Sequence, residues 1–204
     1  MARKVFFSFH YDDVVSFRAN VVRQHGFFKG NQEAGFWDNS IWEEAKKTGD
    51  TALKRMINGA LDGTSVTCVL IGSDTYARPW VRYEILKSIE RGNGVLGIHI
   101  NRVKGKFQQT KSLGPNPFMY LYLQKGSSSD KLNAYEWNKE WVQYNKLPVV
   151  DYTGSRSFDG RVDSYFDVYD WSNDDGYNSF GEWEEKAAAE LVWQNGKRKL
   201  DFSL

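Results

Sequence analysis

Cysteine is almost missing from this chain of 204 residues. The single one, Cys68, excludes an internal disulfide and lies within the apolar run Val66-Thr67-Cys68-Val69-Leu70-Ile71, where a thiol packs and does not react. Histidine is scarce too, and its three scattered copies with one cysteine give no zinc-ligand spacing. No apolar run approaches the length of a membrane span. The run that follows the basic start Met1-Ala2-Arg3-Lys4 stops at Phe9 and meets His10-Tyr11-Asp12-Asp13, too short for a secretory core, so the cytoplasm is the expected compartment. An excess of one charge is also lacking. A net charge of +1 gives no pull toward nucleic acid or an anionic membrane, and neither is expected as a partner. There is no Walker-type loop and no G-x-G-x-x-G after the first strand, so no resident dinucleotide cofactor is expected, and no metal.

What the chain does have is the balance of a folded globular protein, with 41% hydrophobic and 26% charged residues. Aromatic side chains reach 16%, and they read as a ring-rich core with ring-rich loops ahead of a ligand platform. The first half alternates strand and helix patterns. Val5–Phe9, Ser65–Ile71 and Val95–Ile100 are short and almost wholly apolar, the pattern of strands buried on both faces. Between them, Asp12 or Asp13 can cap a helix running to about His25 with Val14, Phe17, Val21 and Val22 on one face. A weak strand is expected near Gly35-Phe36-Trp37. Leu53, Met56, Ile57, Ala60 and Leu61 form a second amphipathic stripe after Thr48 or Asp50. A third helix starts around Pro79, buries Val81, Ile85 and Ile89, and ends at Gly92-Asn93-Gly94. Strands joined by helices of this length predict an α/β fold, a flavodoxin-like three-layer domain around a central parallel sheet.

The alternation stops near Lys104. From there to Ser164 the chain is rich in Gly, Ser, Asn, Lys and rings, with a turn cluster at Gly114-Pro115-Asn116-Pro117. Tyr120–Leu123, Lys131–Trp137 and Trp141–Tyr144 read as short antiparallel strands of an inserted meander. Regular structure returns at Tyr165–Trp171, and a last helix runs from about Ser179 through Trp183, Ala187 and Leu191. The expected organisation is a single domain over 1–195, with its core at 3–103 and 165–195, an insertion at about 104–164, and a flexible tail at 196–204.

Ligands of such sheets bind over the C-terminal ends of the strands. The loops His10–Asp13, Phe36–Thr48 and Gly72–Trp80 lie there. Glu84 follows Trp80 by four residues, which sets both on one side of the helix, about 60° from the Val81 stripe. A carboxylate beside an indole at the mouth of the sheet is one reading of this pair. A solvated glutamate paired with Lys87 or Ser88 is the other, and helical geometry alone leans toward it. Asp12, Asp13 and Asp74 could form the acidic cluster of a phospho-receiver. That arrangement needs a lysine after the last strand, and Ser172-Asn173-Asp174 stands there. Asp174-Asp175-Gly176 reads as a turn before the final helix in preference to a metal site.

Phe6-Phe7-Ser8-Phe9-His10 followed by an acidic residue resembles the first-strand motif of TIR domains. Trp80-Val81-Arg82-Tyr83-Glu84 resembles their Trp-x-x-x-Glu helix. The longer string Lys4–Asp13, with Asn58-Gly59, Thr64–Gly72, Tyr169-Asp170-Trp171 and Asp174–Asn178, is similar to the TIR-like proteins of bacterial Thoeris anti-phage systems, the ThsB type. The likeness covers residues 4 to about 100 and about 165 to 185. It implies cleavage of NAD⁺ as a consumed substrate, with Glu84 catalytic and Ser8, Phe9, His10, Trp80 and Asp38 at the substrate. It implies that the Asp38–Thr48 loop covers the site. It further implies a cyclic ADP-ribose isomer as product, a companion nucleotide-sensing effector that responds to it, a phage-derived trigger and self-association on activation. Two alternatives remain at this level: a non-catalytic TIR adaptor, and an enzyme acting on another N-glycosidic bond, as nucleoside deoxyribosyltransferases do.

Overall fold

The computed structural model describes residues 3–28, 32–34, 44–45, 47–126, 128, 130–154 and 156–192. Five parallel strands form the central sheet in the order β2 (Gln32–Ala34), β1 (Lys4–Ser8), β3 (Val66–Ile71), β4 (Gly94–His99) and β10 (Val168–Asp170). All six residues of β3 are buried, so the sheet is covered on both faces, as its unbroken apolar strands require. The two-residue period of a strand divides β1 between the layers. Val5 and Phe7 pack with α2 (Arg18–Phe28) and α5 (Gly176–Val192), whereas Phe6 packs with α3 (Asp50–Leu61) and α4 (Pro79–Arg91). On α3, Leu53, Ile57 and Leu61 recur every four residues and are buried, each contributing roughly 1.5–3 kcal/mol on leaving water.

The helix expected from Asp12 to His25 is two helices, α1 (Tyr11–Val15) and α2. Phe17 adopts a left-handed φ of 67°, which ends the first and redirects the chain into the second. In consequence Phe17 and Val21 are exposed at 50% and 41%, and Val22 alone of the four expected apolar residues is wholly buried. Neither Asp12 nor Asp13 caps α1, because His10 holds that position and both aspartates lie inside the helix. The expected strand at Gly35–Trp37 falls outside the described residues, as does the tail at 196–204; the pairing of β2 with β1 is made by Gln32–Ala34.

Between β4 and β10 the insertion folds as a second, antiparallel sheet of β5 (Leu121–Lys125), β6 (Lys131–Trp137), β7 (Trp141–Gln143), β8 (Val149–Asp151) and β9 (Gly160–Arg161). Three of these match the expected strands. The other two, of three and two residues, are too short to show alternation in sequence. Leu121, Leu123, Leu132, Ala134, Tyr144 and Val150 share one core with Ile85, Leu86 and Ile89 of α4. The helix α4 is thus gripped between two sheets, which is why Tyr83, Glu84, Leu86 and Ser88 are buried besides the expected stripe. Among the described residues no helix is long and apolar enough to cross a membrane.

Candidate active site

Residue parity on β1 aims Ser8 toward the same layer as Phe6, the layer of α4. Pro79 fixes the first turn of α4, and Glu84 follows inside it. Ser8 Oγ donates to Glu84 Oε2 at 2.5 Å, closing the C-terminal end of β1 onto the helix. Glu84 is 4% exposed. Burial pushes its carboxyl up to about 8, against which the Ser8 hydrogen bond works in the opposite sense. A solvated glutamate paired with Lys87 or Ser88 is therefore not what is found. Lys87 pairs with Glu90, and Ser88 Oγ donates to the backbone carbonyl of Glu84 at 2.6 Å, not to its carboxylate.

Trp80, one helical turn before Glu84, packs on the same core and meets Tyr83 edge-on at 5.7 Å. The ammonium of Lys146, from the segment after β7, stands 4.3 Å from the Trp80 ring centroid and also pairs with Asp50 at the start of α3. Tyr144 OH donates to Pro79 O at 2.6 Å, and Arg82 pairs with Glu136 of β6. Long-range contacts from the insertion thus fix the turn that carries Trp80 and Glu84. No local pattern in the sequence marks these partners.

His10 is half-buried at the end of β1, with Nδ1 3.7 Å from Asp12. Burial, and after it the like charge of Arg78, lowers its pKa and favours the neutral ring. Arg78 was not singled out in the sequence. It precedes Pro79 at the N-cap of α4, and its buried Nε has no hydrogen-bond partner. An arginine just before a proline-initiated helix at the sheet edge is the signal that could have found it. Phe9 is not brought to Glu84. Its parity sends it to the opposite layer, where it packs with the α2 side and Arg23 lies 5.7 Å from its ring centroid. Asp38 lies outside the described residues, as does most of the Asp38–Thr48 loop; near its end Thr48 Oγ1 donates to Glu44 O at 3.0 Å.

Of the acidic cluster, Asp13 is 3% exposed and its carboxyl is pushed up to about 6 by burial, with Lys111 and Arg18 pulling it down. It rests on Gly72, where a Cβ would fall 2.0 Å from Asp13 Oδ2. Among the described residues no group of three or more His, Cys, Asp or Glu is placed to hold a metal ion. Asp174 and Asp175 serve the turn before α5: Asp174 Oδ2 accepts from Asp170 N at 2.7 Å, and Asp175 accepts from Asn178.

The model of the Thoeris protein ThsB, TIR-like domain, matches residues 6–105. A protein of Bacillus cereus (strain MSX-D12), provisionally named cyclic ADP-D-ribose synthase ThsB1, is 55% identical over 190 residues, which cover 90% of this chain and 99% of the relative. The chain belongs to the ThsB TIR-like family. The ThsB match holds Ser8, His10, Trp80 and Glu84, and it ends where the insertion begins. The unaligned tenth of the chain is shorter than the insertion, so most of the inserted sheet is shared with the ThsB1 relative.

Proposed function

We propose that this ThsB-family chain cleaves the N-glycosidic bond of NAD⁺ and converts it to a cyclic ADP-ribose isomer, an anti-phage signal that activates a companion effector. The observation that carries the reading is the buried carboxyl of Glu84, bonded to Ser8 at the C-terminal end of β1. Nicotinamide leaves as a neutral ring with the bonding electron pair, so no strong acid is needed for departure. Positive charge then grows on the ribose as an oxocarbenium-like centre. A carboxylate in a site shielded from water stabilises that charge far better than one in bulk water. The cationic nicotinamide ring itself favours ionisation of Glu84 as NAD⁺ binds, offsetting the upward push of burial. A nitrogen or hydroxyl of the same ADP-ribose donates its pair to the ribosyl carbon, and ionised Glu84 is the base that takes the proton of a hydroxyl nucleophile. Trp80 shapes the pocket wall, Ser8 orients the carboxyl, and neutral His10 faces the site from the strand end.

The name of the ThsB1 relative refers to the same class of product. A purely adaptor role gives no reason to bury a carboxyl with one hydroxyl partner, because burial of such a group lowers stability. The test compares wild type and Glu84→Gln in phage-infected cells, with nucleotides analysed by mass spectrometry and filtrates added to the effector. Expected is loss of the product by on the order of 10²–10³ or more in Glu84→Gln, with effector activation only by the wild-type filtrate. Equal product from both proteins removes Glu84 from the mechanism. Linear ADP-ribose with an unresponsive effector removes the signalling role and leaves cleavage standing.

A further inference from the structure

A cavity of about 440 Å³ opens on the other side of the sheet edge, between the α1–α2 junction and the loop that follows β4. None of Ser8, Trp80 or Glu84 lines it. Its volume is within the range of small-molecule sites, roughly 300–1,000 Å³. The wall is built, not incidental. Arg18 is 4% exposed, and its guanidinium is held by Nε to Val103 O at 3.0 Å and Nη2 to Gln109 O at 2.6 Å. Gly105 lies flat on it, for a Cβ there would fall 2.8 Å from Arg18 Cζ. The left-handed turn at Phe17 sets Ser16 O to accept from Lys106 N at 3.1 Å, which fastens the loop to the junction. Lys106 and Lys111 line the same cavity, with Lys111 also acting on the buried Asp13. Against these three cations stand two carboxylates, Asp12, which faces His10, and the buried Asp13, on which Lys111 and Arg18 act, so the cluster keeps an excess of one positive charge. At the rim the Phe107 ring is 80% exposed, an apolar face that water covers poorly.

We propose that this cavity binds the diphosphate of a nucleotide, with Arg18, Lys106 and Lys111 around the phosphates and the base stacked on Phe107. A buried guanidinium fixed by two backbone carbonyls and flanked by ammonium groups matches phosphate oxygens in charge. An exposed ring adjoining it matches the π-face of a base. The nucleotide site stands on its own lining, and only its assignment to the ADP half of the substrate rests on the chemistry proposed at Glu84. Its ligand has two sources, the ADP half of the substrate or a separate nucleotide.

The test is calorimetric titration of the Glu84→Gln protein with ADP-ribose at low ionic strength, where no turnover intervenes. Expected is a binding event that inorganic pyrophosphate competes away and that Lys106→Ala/Lys111→Ala weakens about tenfold or more. Phe107→Ala weakens it several-fold, whereas Trp80→Ala, which alters the Glu84 site, leaves it in place. All four substituted positions are checked by thermal melting for an intact fold. Absence of binding, or binding that the lysine pair and Phe107 do not affect, overturns the proposal. The same titrations with NAD⁺ separate the sources. Loss of NAD⁺ binding with the lysine pair assigns the cavity to the substrate's ADP half; retained, Trp80-dependent NAD⁺ binding assigns it to a second nucleotide.

Discussion

Two carboxyls are buried at the C-terminal edge of the parallel sheet, Glu84 on α4 and Asp13 on α1, and their surroundings differ in kind. Glu84 has one hydroxyl partner and no cation acting on it, and its carboxyl is pushed up to about 8. Asp13 is enclosed less deeply, and Lys111 and Arg18 act on it as well, so its carboxyl reaches only about 6. Burial sets the direction for both, and its depth together with neighbouring charge decides how far each goes. Near neutral pH the protein therefore keeps a neutral acid on one side of the site edge and a largely ionised one on the other.

The largest effect expected from this contrast is on stability against pH. The folded pKa of Glu84 lies above its unfolded value of 4.5, so its contribution is fully present below pH 4.5 and is lost as pH rises through about 8. For Asp13 the sign is the same, but the window runs from 3.8 to about 6. Glu84→Gln removes the first loss. Melting curves of the two proteins should nearly coincide at pH 4.5, part progressively from there to pH 8 and keep a constant gap above it, with the variant more stable by on the order of 5 kcal/mol at full ionisation. A gap that does not widen over that range would break the comparison. The substitution proposed to abolish turnover is thus expected to stabilise the fold, the trade-off of a site held away from its stability optimum.

A smaller effect sharpens the Asp13 side. Gly72→Ala puts a methyl against the Asp13 carboxylate and should cost roughly 1–3 kcal/mol by denaturant titration. In an Asp13→Ala background most of that cost should vanish. An undiminished cost would mean that β3 itself, and not the aspartate, resists the methyl. The smallest effect concerns the grip on α4. Tyr144→Phe removes the hydrogen bond to Pro79 O and should cost about 1 kcal/mol, read from the shift in denaturation midpoint. No measurable shift would show that apolar packing alone holds the insertion to the helix.

Much of the scaffold could be read from residue order. The unbroken apolar runs of β1, β3 and β4 announced a sheet covered on both faces, and Pro79 announced the start of α4. Glu84 itself was legible through the likeness of Trp80-Val81-Arg82-Tyr83-Glu84 to the TIR helix motif, whereas spacing alone leaned toward a solvated side chain. Its burial was not, because the residues that enclose it come from β1 and from an insertion far along the chain, whereas Lys87 and Ser88 nearby pointed to a solvated pair. Helical spacing across Val14, Phe17, Val21 and Val22 concealed the break between α1 and α2, since a left-handed phenylalanine leaves no compositional trace. Phe9 shows the opposite case. Strand parity, counted from Ser8, would have placed it away from Glu84, but the motif drew it to the substrate. For Arg78 the one trace in the sequence is its place just before Pro79, and only the fold buries its Nε.

The position of the insertion has a consequence for the order of assembly. β10 pairs with β4, yet every residue between His99 and Val168 intervenes before that strand is made. Loop-closure entropy grows only with the logarithm of length, so hosting a whole sheet in this crossover costs little at equilibrium. Time is another matter, since distant pairings form late in folding. On a ribosome, β1, β3 and β4 emerge and can pair while the far edge of β4 stands bare. That edge is protected only when β10 arrives and α5 closes over β4, where Gly94 lets the helix backbone come within 2.4 Å of a Cβ position. A newly made chain therefore passes through a stage with a well-formed half-sheet and an unpaired apolar border, the stage at which strand-to-strand association between copies has its opening.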